Sequence, residues 1–207
     1  MDKNKILAKK DNKRIAVLRE KGIATSRISL KKLGEKKAKL LKLIHEQGYE
    51  VIRQWLVDQG EPTIDLSWLE VPGLVLPGID LSGANLNALG FTGGDLSGAK
   101  LIGCRMYGVI GTRANLRGVL LSGANLGGAV LPGADLTGAK LVGADLSAAI
   151  LTDANLTNTN FAGAYMVGAY LVGARLKGAN FAGTVMTGVR LSPGIAIPRG
   201  AIIEQGE

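Results

Sequence analysis

The chain has 207 residues, 25 Lys+Arg against 17 Asp+Glu for a formal net charge of +8, 46% apolar residues, only 4% aromatics, and 30 glycines. That length holds one domain, or one domain with a basic appendage; the apolar share is too high for a disordered chain, and so few aromatics require an interior of small aliphatic side chains. The single cysteine, Cys104, excludes an intrachain disulfide, and the single histidine, His45, excludes a zinc site of the usual His/Cys make-up.

Charge and glycine occupy different parts of the chain. Residues 1–63 hold 16 Lys+Arg and 8 Asp+Glu, which is the whole +8, whereas residues 64–207 hold 9 of each. Glycine divides the other way, 4 before residue 64 and 26 after. The change falls at Gly60-Glu61-Pro62, where proline blocks continuation of a helix. The expected organisation is a basic helical arm and N-terminal cap over 1–61, then a repeat domain with a closing segment over 62–207. The first 20 residues carry charge rather than an apolar stretch, so no secretory leader is expected and the expected compartment is reducing and cytoplasmic.

In the arm, Ile6, Leu7, Ile15 and Leu18 sit among lysines, Gly22 breaks the run, and Ser26 or Ser29 offers a cap. Leu30, Leu33, Leu40, Leu41, Ile44, Val51, Ile52, Trp55 and Leu56 then follow a three/four spacing, the stripe of an amphipathic helix. Lys31, Lys32, Lys36, Lys37, Lys39 and Lys42 crowd the opposite side. Such a face suits an anionic partner bound by charge: an acidic protein surface, nucleic acid or anionic lipid. Apart from Tyr49 and Trp55 it has no aromatic platform for single strands.

From residue 64 the sequence repeats every five residues, through 26 repeats centred on Leu66 to Leu191 without an insertion. The centre is Leu in 18 repeats; two residues before it Ala stands in 14, and two residues after it Gly stands in 19. Five fits neither the helical period nor the strand period. It fits a coil that turns a corner once per repeat, with glycine supplying a positive φ at the corner. Two side chains in five then point inward, the centre and the small residue before it, and three point out. Gly111 is the one centre without a side chain, and Phe91, one coil earlier in that column, is expected to fill the vacancy. The first coil carries Ile64, Leu69, Leu74 and Ile79 where later coils have Ala. It is expected, with Trp68, to receive a capping helix over Tyr49–Asp58. Ile195, Ile197, Ile202 and Ile203, with Pro193 and Pro198, are expected to close the far end.

With Ala-Asn-Leu at 84–86, 114–116, 124–126 and 154–156 and Ala-Asp-Leu at 134–136 and 144–146, the chain resembles the pentapeptide-repeat family over about two thirds of its length. The resemblance implies an all-β solenoid, a right-handed quadrilateral β-helix with four repeats per coil. Twenty-six repeats then make about 6.5 coils, a rod about 31 Å long at the ~4.8 Å spacing of paired strands.

Several signals of chemistry dissolve on this frame. The Gly-x-x-x-x-Gly pattern recurs along the rod but no Gly-Lys-Ser/Thr follows it, so no phosphate loop is expected. Residues 154–174 lack charge yet stay in the repeat phase and carry Asn155, Asn158 and Asn160, so no transmembrane span is expected. Asp65, Asp80, Asp95, Asp135 and Asp145 precede centres, where a carboxylate or amide binds local backbone donors at a turn rather than serving as a catalytic acid. Cys104 stands at an inward position and reads as core. No catalytic set, metal site or cofactor site assembles from these residues, and an enzyme is not expected.

One outward column has a different character. Stacked by 20, it reads Glu70, Gly90, Ile110, Val130, Ile150, Tyr170, Arg190, with no Asp or Asn. Ile110, Val130, Ile150 and Tyr170 make an exposed apolar ladder, read as a face for a protein partner or a second subunit. The expected function is therefore a non-enzymatic binding or scaffold protein. It pairs a rigid β-helical rod for protein–protein contact with a basic arm, as in a structural part of a bacterial assembly or a phage particle built in the cytoplasm. The alternative that the resemblance implies is a DNA-mimicking ligand of DNA gyrase, like the quinolone-resistance members. Such mimicry needs a strongly negative rod, whereas residues 64–207 sum to zero.

Overall fold

The computed structural model describes residues 65–196 and 198–203. The expected basic arm, the helix over Tyr49–Asp58, Ile64 and Ile197 lie outside them.

The repeat builds a four-sided solenoid. Parallel bridges join each outward residue to the one 20 positions on, from Asp65↔Asn85 through Tyr170↔Arg190, so four repeats complete one coil. The sides are short. Between two-residue corners only three residues remain, and just the middle one bridges to neighbouring coils, so the described residues form isolated bridges instead of extended strands. This refines the expected β-helix: pairing is by single residues in register, because a five-residue period leaves no room for a longer strand.

The repeat around Leu126 shows how the backbone is satisfied. The Leu126 amide donates to the Asp145 carbonyl (2.6 Å), Gly128 to Ser147 (2.8 Å), Ala129 to Leu126 (2.9 Å) and Val130 to Val109 (2.8 Å). Four of five amides thus bond along the solenoid or across the corner. The corner is a β-turn with positive φ at its third residue, as a type II turn demands. Glycine holds φ between 62° and 75° at the corners from Gly73 to Gly188; Trp68, Ala88, Arg113, Ala148, Asp153 and Asn158 take the same conformation without being glycine. At the end of the series Pro193 stands where that glycine would be. Proline fixes φ near −65°, so the positive φ moves to Gly194 at 80°, and the register of five is lost.

The interior follows the two inward positions. Leu86, Leu101, Leu121, Leu126, Leu131 and Leu136, and the alanines Ala129, Ala134 and Ala139, are all 0–1% exposed. Phe161 and Phe181, one coil apart, stack with centroids 5.1 Å apart and planes 17° from parallel. In the first described coil Leu69, Leu74 and Ile79 are buried, as their position requires. The far end closes differently from expectation. Ile202 bridges Val185 and the Gly183 amide donates to Gly200, but Ile195, Ile202 and Ile203 remain 42–52% exposed. Backbone pairing closes this edge, and the isoleucines cover little of it because the prolines have taken the segment out of the inward register.

Candidate interaction face

The outward position before each centre serves two purposes. Where it is Asp or Asn, its side-chain oxygen accepts the amide two residues on, the fifth donor that the solenoid leaves over. All eleven do so, from Asp65 to Asn180, at 2.8–3.4 Å. These groups belong to the corner and are spoken for. Where the position is not Asp or Asn, proline in three repeats removes the donor altogether: Pro72 follows Glu70, Pro77 follows Val75, and Pro132 follows Val130, each two residues on.

The carboxylates carry the mark of that bonding. The Ser82 amide and hydroxyl hold Asp80 below the ordinary carboxylate range, and the Ser97 hydroxyl and amide do the same for Asp95. At Asp135 burial pushes upward, but the Thr137 hydroxyl and amide and the Arg117 guanidinium, 2.9 Å away, outweigh it. A carboxylate whose folded value lies below its unfolded one stabilises the fold above the unfolded value and loses that contribution as pH falls through the folded value. The melting temperature is therefore expected to hold from neutrality down to about pH 5 and to fall below about pH 4. Thermal melts should show a smaller acid-side fall for D80N/D95N/D135N, which keeps the acceptors but loses the charges. Parallel curves for parent and variant would remove the carboxylates from the account.

Cys104 is buried; burial pushes its thiol up to about 11, and Sγ lies 2.9 Å from the Leu81 carbonyl. Thr159 and Thr184 take the same inward position and donate to the Leu136 and Phe161 carbonyls at 2.9 and 2.7 Å. This use of a small polar residue in place of Ala follows a constant 23-residue offset, which the five-residue period alone does not reveal.

The apolar column is assembled as its spacing requires. Bridges run Gly90↔Ile110, Ile110↔Val130, Val130↔Ile150, Ile150↔Tyr170 and Tyr170↔Arg190, setting these residues one above another on one side. The four apolar members are half-buried rather than fully exposed. Both charged ends fold toward the middle. The Glu70 carboxylate lies over Gly90, in the space a Cβ there would need, and the Arg190 guanidinium stacks over the Tyr170 ring at 4.8 Å from its centroid.

The most exposed apolar groups nearby are residues that stacking one column could not single out. Val167 and Val172, 41% exposed, occupy the corners on either side of Tyr170, and Tyr165, at 53%, stands on the adjoining side. Tyr107, 42% exposed, lays its ring over the next corner, where a Cβ at Gly127 would meet it at 3.1 Å. The signal for Val167, Val172 and Tyr107 is the shift from Gly, Ser and Thr to large apolar residues at corner positions. The anionic-partner lysines, Lys31, Lys32, Lys36, Lys37, Lys39 and Lys42, lie outside the described residues. Among the described residues no group of three or more His, Cys, Asp and Glu could hold a metal ion, and no helix is long and apolar enough to cross a membrane.

The family model described as pentapeptide repeats matches the chain in eight copies over residues 73–106, 114–153 and 154–192, more than half its length. No curated protein matches. Similar solved structures include QnrB1, a plasmid-mediated fluoroquinolone resistance protein, at 18% identity over 69% of this chain and 78% of that one, with a TM-score of 0.45. Rfr23, a pentapeptide repeat protein of the cyanobacterium Cyanothece 51142, is 22% identical over 68% of this chain and 88% of its own, with a TM-score of 0.26. A pentapeptide repeat protein of the Arabidopsis thaliana thylakoid lumen is 29% identical over 58% of this chain and 70% of its own, with a TM-score of 0.25.

Proposed function

This chain belongs to the pentapeptide-repeat family, and from that premise we propose that it is a non-enzymatic binding and scaffold protein. A right-handed rod presents the Ile110–Tyr170 side to another protein, and a helical basic arm over residues 1–61 docks on an anionic partner within a larger bacterial or phage assembly in a reducing compartment. One observation carries the reading. Each of the other three sides uses Asp or Asn to hold its own corners, whereas this side has none and is filled by β-branched and aromatic residues. Side chains released from corner duty and apolar over four successive coils suit contact with a protein better than contact with water. A gyrase ligand would need a negative rod, and the balance of charge over residues 64–207 favours the scaffold; inhibition of gyrase supercoiling by the purified protein would reverse that choice.

The test places charge in the middle of the face. I110K/I150K alters two half-buried outward positions, so the rod is expected to keep its melting temperature while association, read by sedimentation and by pull-down at low and high salt, weakens at least about tenfold. Unchanged association at both salt concentrations would contradict the reading of the face. Loss of capture with salt alone would assign the remaining binding to the basic arm.

A further inference from the structure

We propose that the Ile110–Tyr170 face pairs with the same face of a second copy, the two rods running antiparallel about a two-fold axis at Val130. This inference rests on the reading of that side as a contact surface and names its occupant.

The column is self-complementary when reversed. A two-fold axis across the face at Val130 sets each position against the one an equal number of coils beyond. Val130 then meets itself, Ile110 meets Ile150, Gly90 meets Tyr170, and Glu70 meets Arg190. Size and charge both match: apolar on apolar at the centre, and acid against base at the rim. The folded ends sharpen the match. The Glu70 carboxylate lies at the level of Gly90 and the Arg190 guanidinium at the level of Tyr170, levels that this axis brings face to face.

Other arrangements lose this. Parallel rods would place Glu70 on Glu70 and Arg190 on Arg190. An axis displaced by half a coil leaves Arg190 beyond the partner column and Glu70 against Tyr170 in one direction, and Glu70 beyond the column and Arg190 against Gly90 in the other. The other columns are not self-complementary in this way: reversed about its middle, the Asp80 column sets Leu120 against Lys140, and the Asp65 column sets Asp65 against Val185. An interface that pairs each residue with its own mirror position is the isologous contact of a two-fold dimer. The face is about 29 Å long and one side, about 10 Å, wide. That is below the size of a standard stable interface, so the dimer is weak and concentration-dependent.

Charge reversal tests the pairing on the full chain. Sedimentation equilibrium is expected to show the parent dimerising reversibly, with E70R and R190E each at least about tenfold weaker because each puts like charges together at both rims. An equimolar mixture of the two variants is expected to regain the dimer. The cation introduced at position 70 of one variant then meets the anion introduced at position 190 of the other, and the unaltered Arg190 and Glu70 also find each other. Val130→Cys is expected to cross-link to itself under mild oxidation, while Ile110→Cys cross-links only in the presence of Ile150→Cys. The native thiol of Cys104 is 1% exposed and does not compete. A parent that stays monomeric, or a mixture that fails to dimerise although both variants melt like the parent, would overturn the pairing. The reading of the face itself would then be judged separately, by whether I110K/I150K abolishes capture of a different protein.

Discussion

Gly111→Leu is expected to lower the stability of the rod by about 1–3 kcal/mol, read as a fall in denaturant midpoint at unchanged slope. A Cβ at residue 111 would lie 2.5 Å from Cε2 and 2.6 Å from Cζ of Phe91, and 2.9 Å from Cδ2 of Leu131. The vacancy that the glycine leaves is therefore filled from both sides. Phe91 is 0% exposed, stacked in a column whose other centres besides Gly111 are Val71, Leu131, Leu151, Leu171 and Leu191, so its ring has nowhere to retreat. Gly111 is not among the residues of positive φ, so the cost is one of volume and not of backbone strain. The pairing of ring and vacancy makes a second, sharper statement. F91L/G111L restores the leucine that most columns carry and should recover most of the loss, a strong negative coupling between the two changes. If Gly111→Leu is as stable as the parent, or if the double variant is no better than the single, the ring does not fill that space.

A larger effect is expected at Leu126. Leu126→Ala should cost about 2–5 kcal/mol, because a fully buried leucine in mid-rod is flanked in its own column by Met106 and Leu146, themselves 0–1% exposed and fixed by bridges on either side. Collapse into the cavity would have to drag a whole coil out of register. Leu191, at the end of the series, is only half-buried, so Leu191→Ala leaves less buried surface unsupported and should cost clearly less. The contrast follows from a solenoid in which each coil touches only its neighbours. Equal losses at both sites, measured by chemical denaturation, would contradict that picture.

Much of this architecture is legible in the sequence, because a repeat of five leaves each side chain few places to go. The inward centre and inward alanine, the corner glycine and the role of Asp and Asn in holding the corner all follow from position within the repeat, and the Phe91–Gly111 pair follows from adding the coil length of 20. What the repeat does not disclose is side-chain direction along the rod axis, which a periodic pattern does not encode. The Glu70 carboxylate lying over Gly90, the Arg190 stack on Tyr170 and the Tyr107 ring over Gly127 all reach from one coil to the next. For Ile195, Ile202 and Ile203, apolarity alone predicts burial. Proline displaces the positive φ to Gly194, and they leave the register that would have turned them inward.

The outward position before a centre holds a corner where it is Asp or Asn, and along the Ile110–Tyr170 column it is proposed to face a partner; the two uses should separate cleanly. The most direct measurement is sedimentation of I110K/I150K beside D95A/N155A, each paired with its melting temperature. The first is expected to lose association and keep its melting temperature. The second, which removes side-chain acceptors for the Ser97 and Thr157 amides, is expected to lose about 1 kcal/mol of stability per site and keep association. Association lost equally in both, or retained in I110K/I150K, would contradict the division of labour on which the account rests.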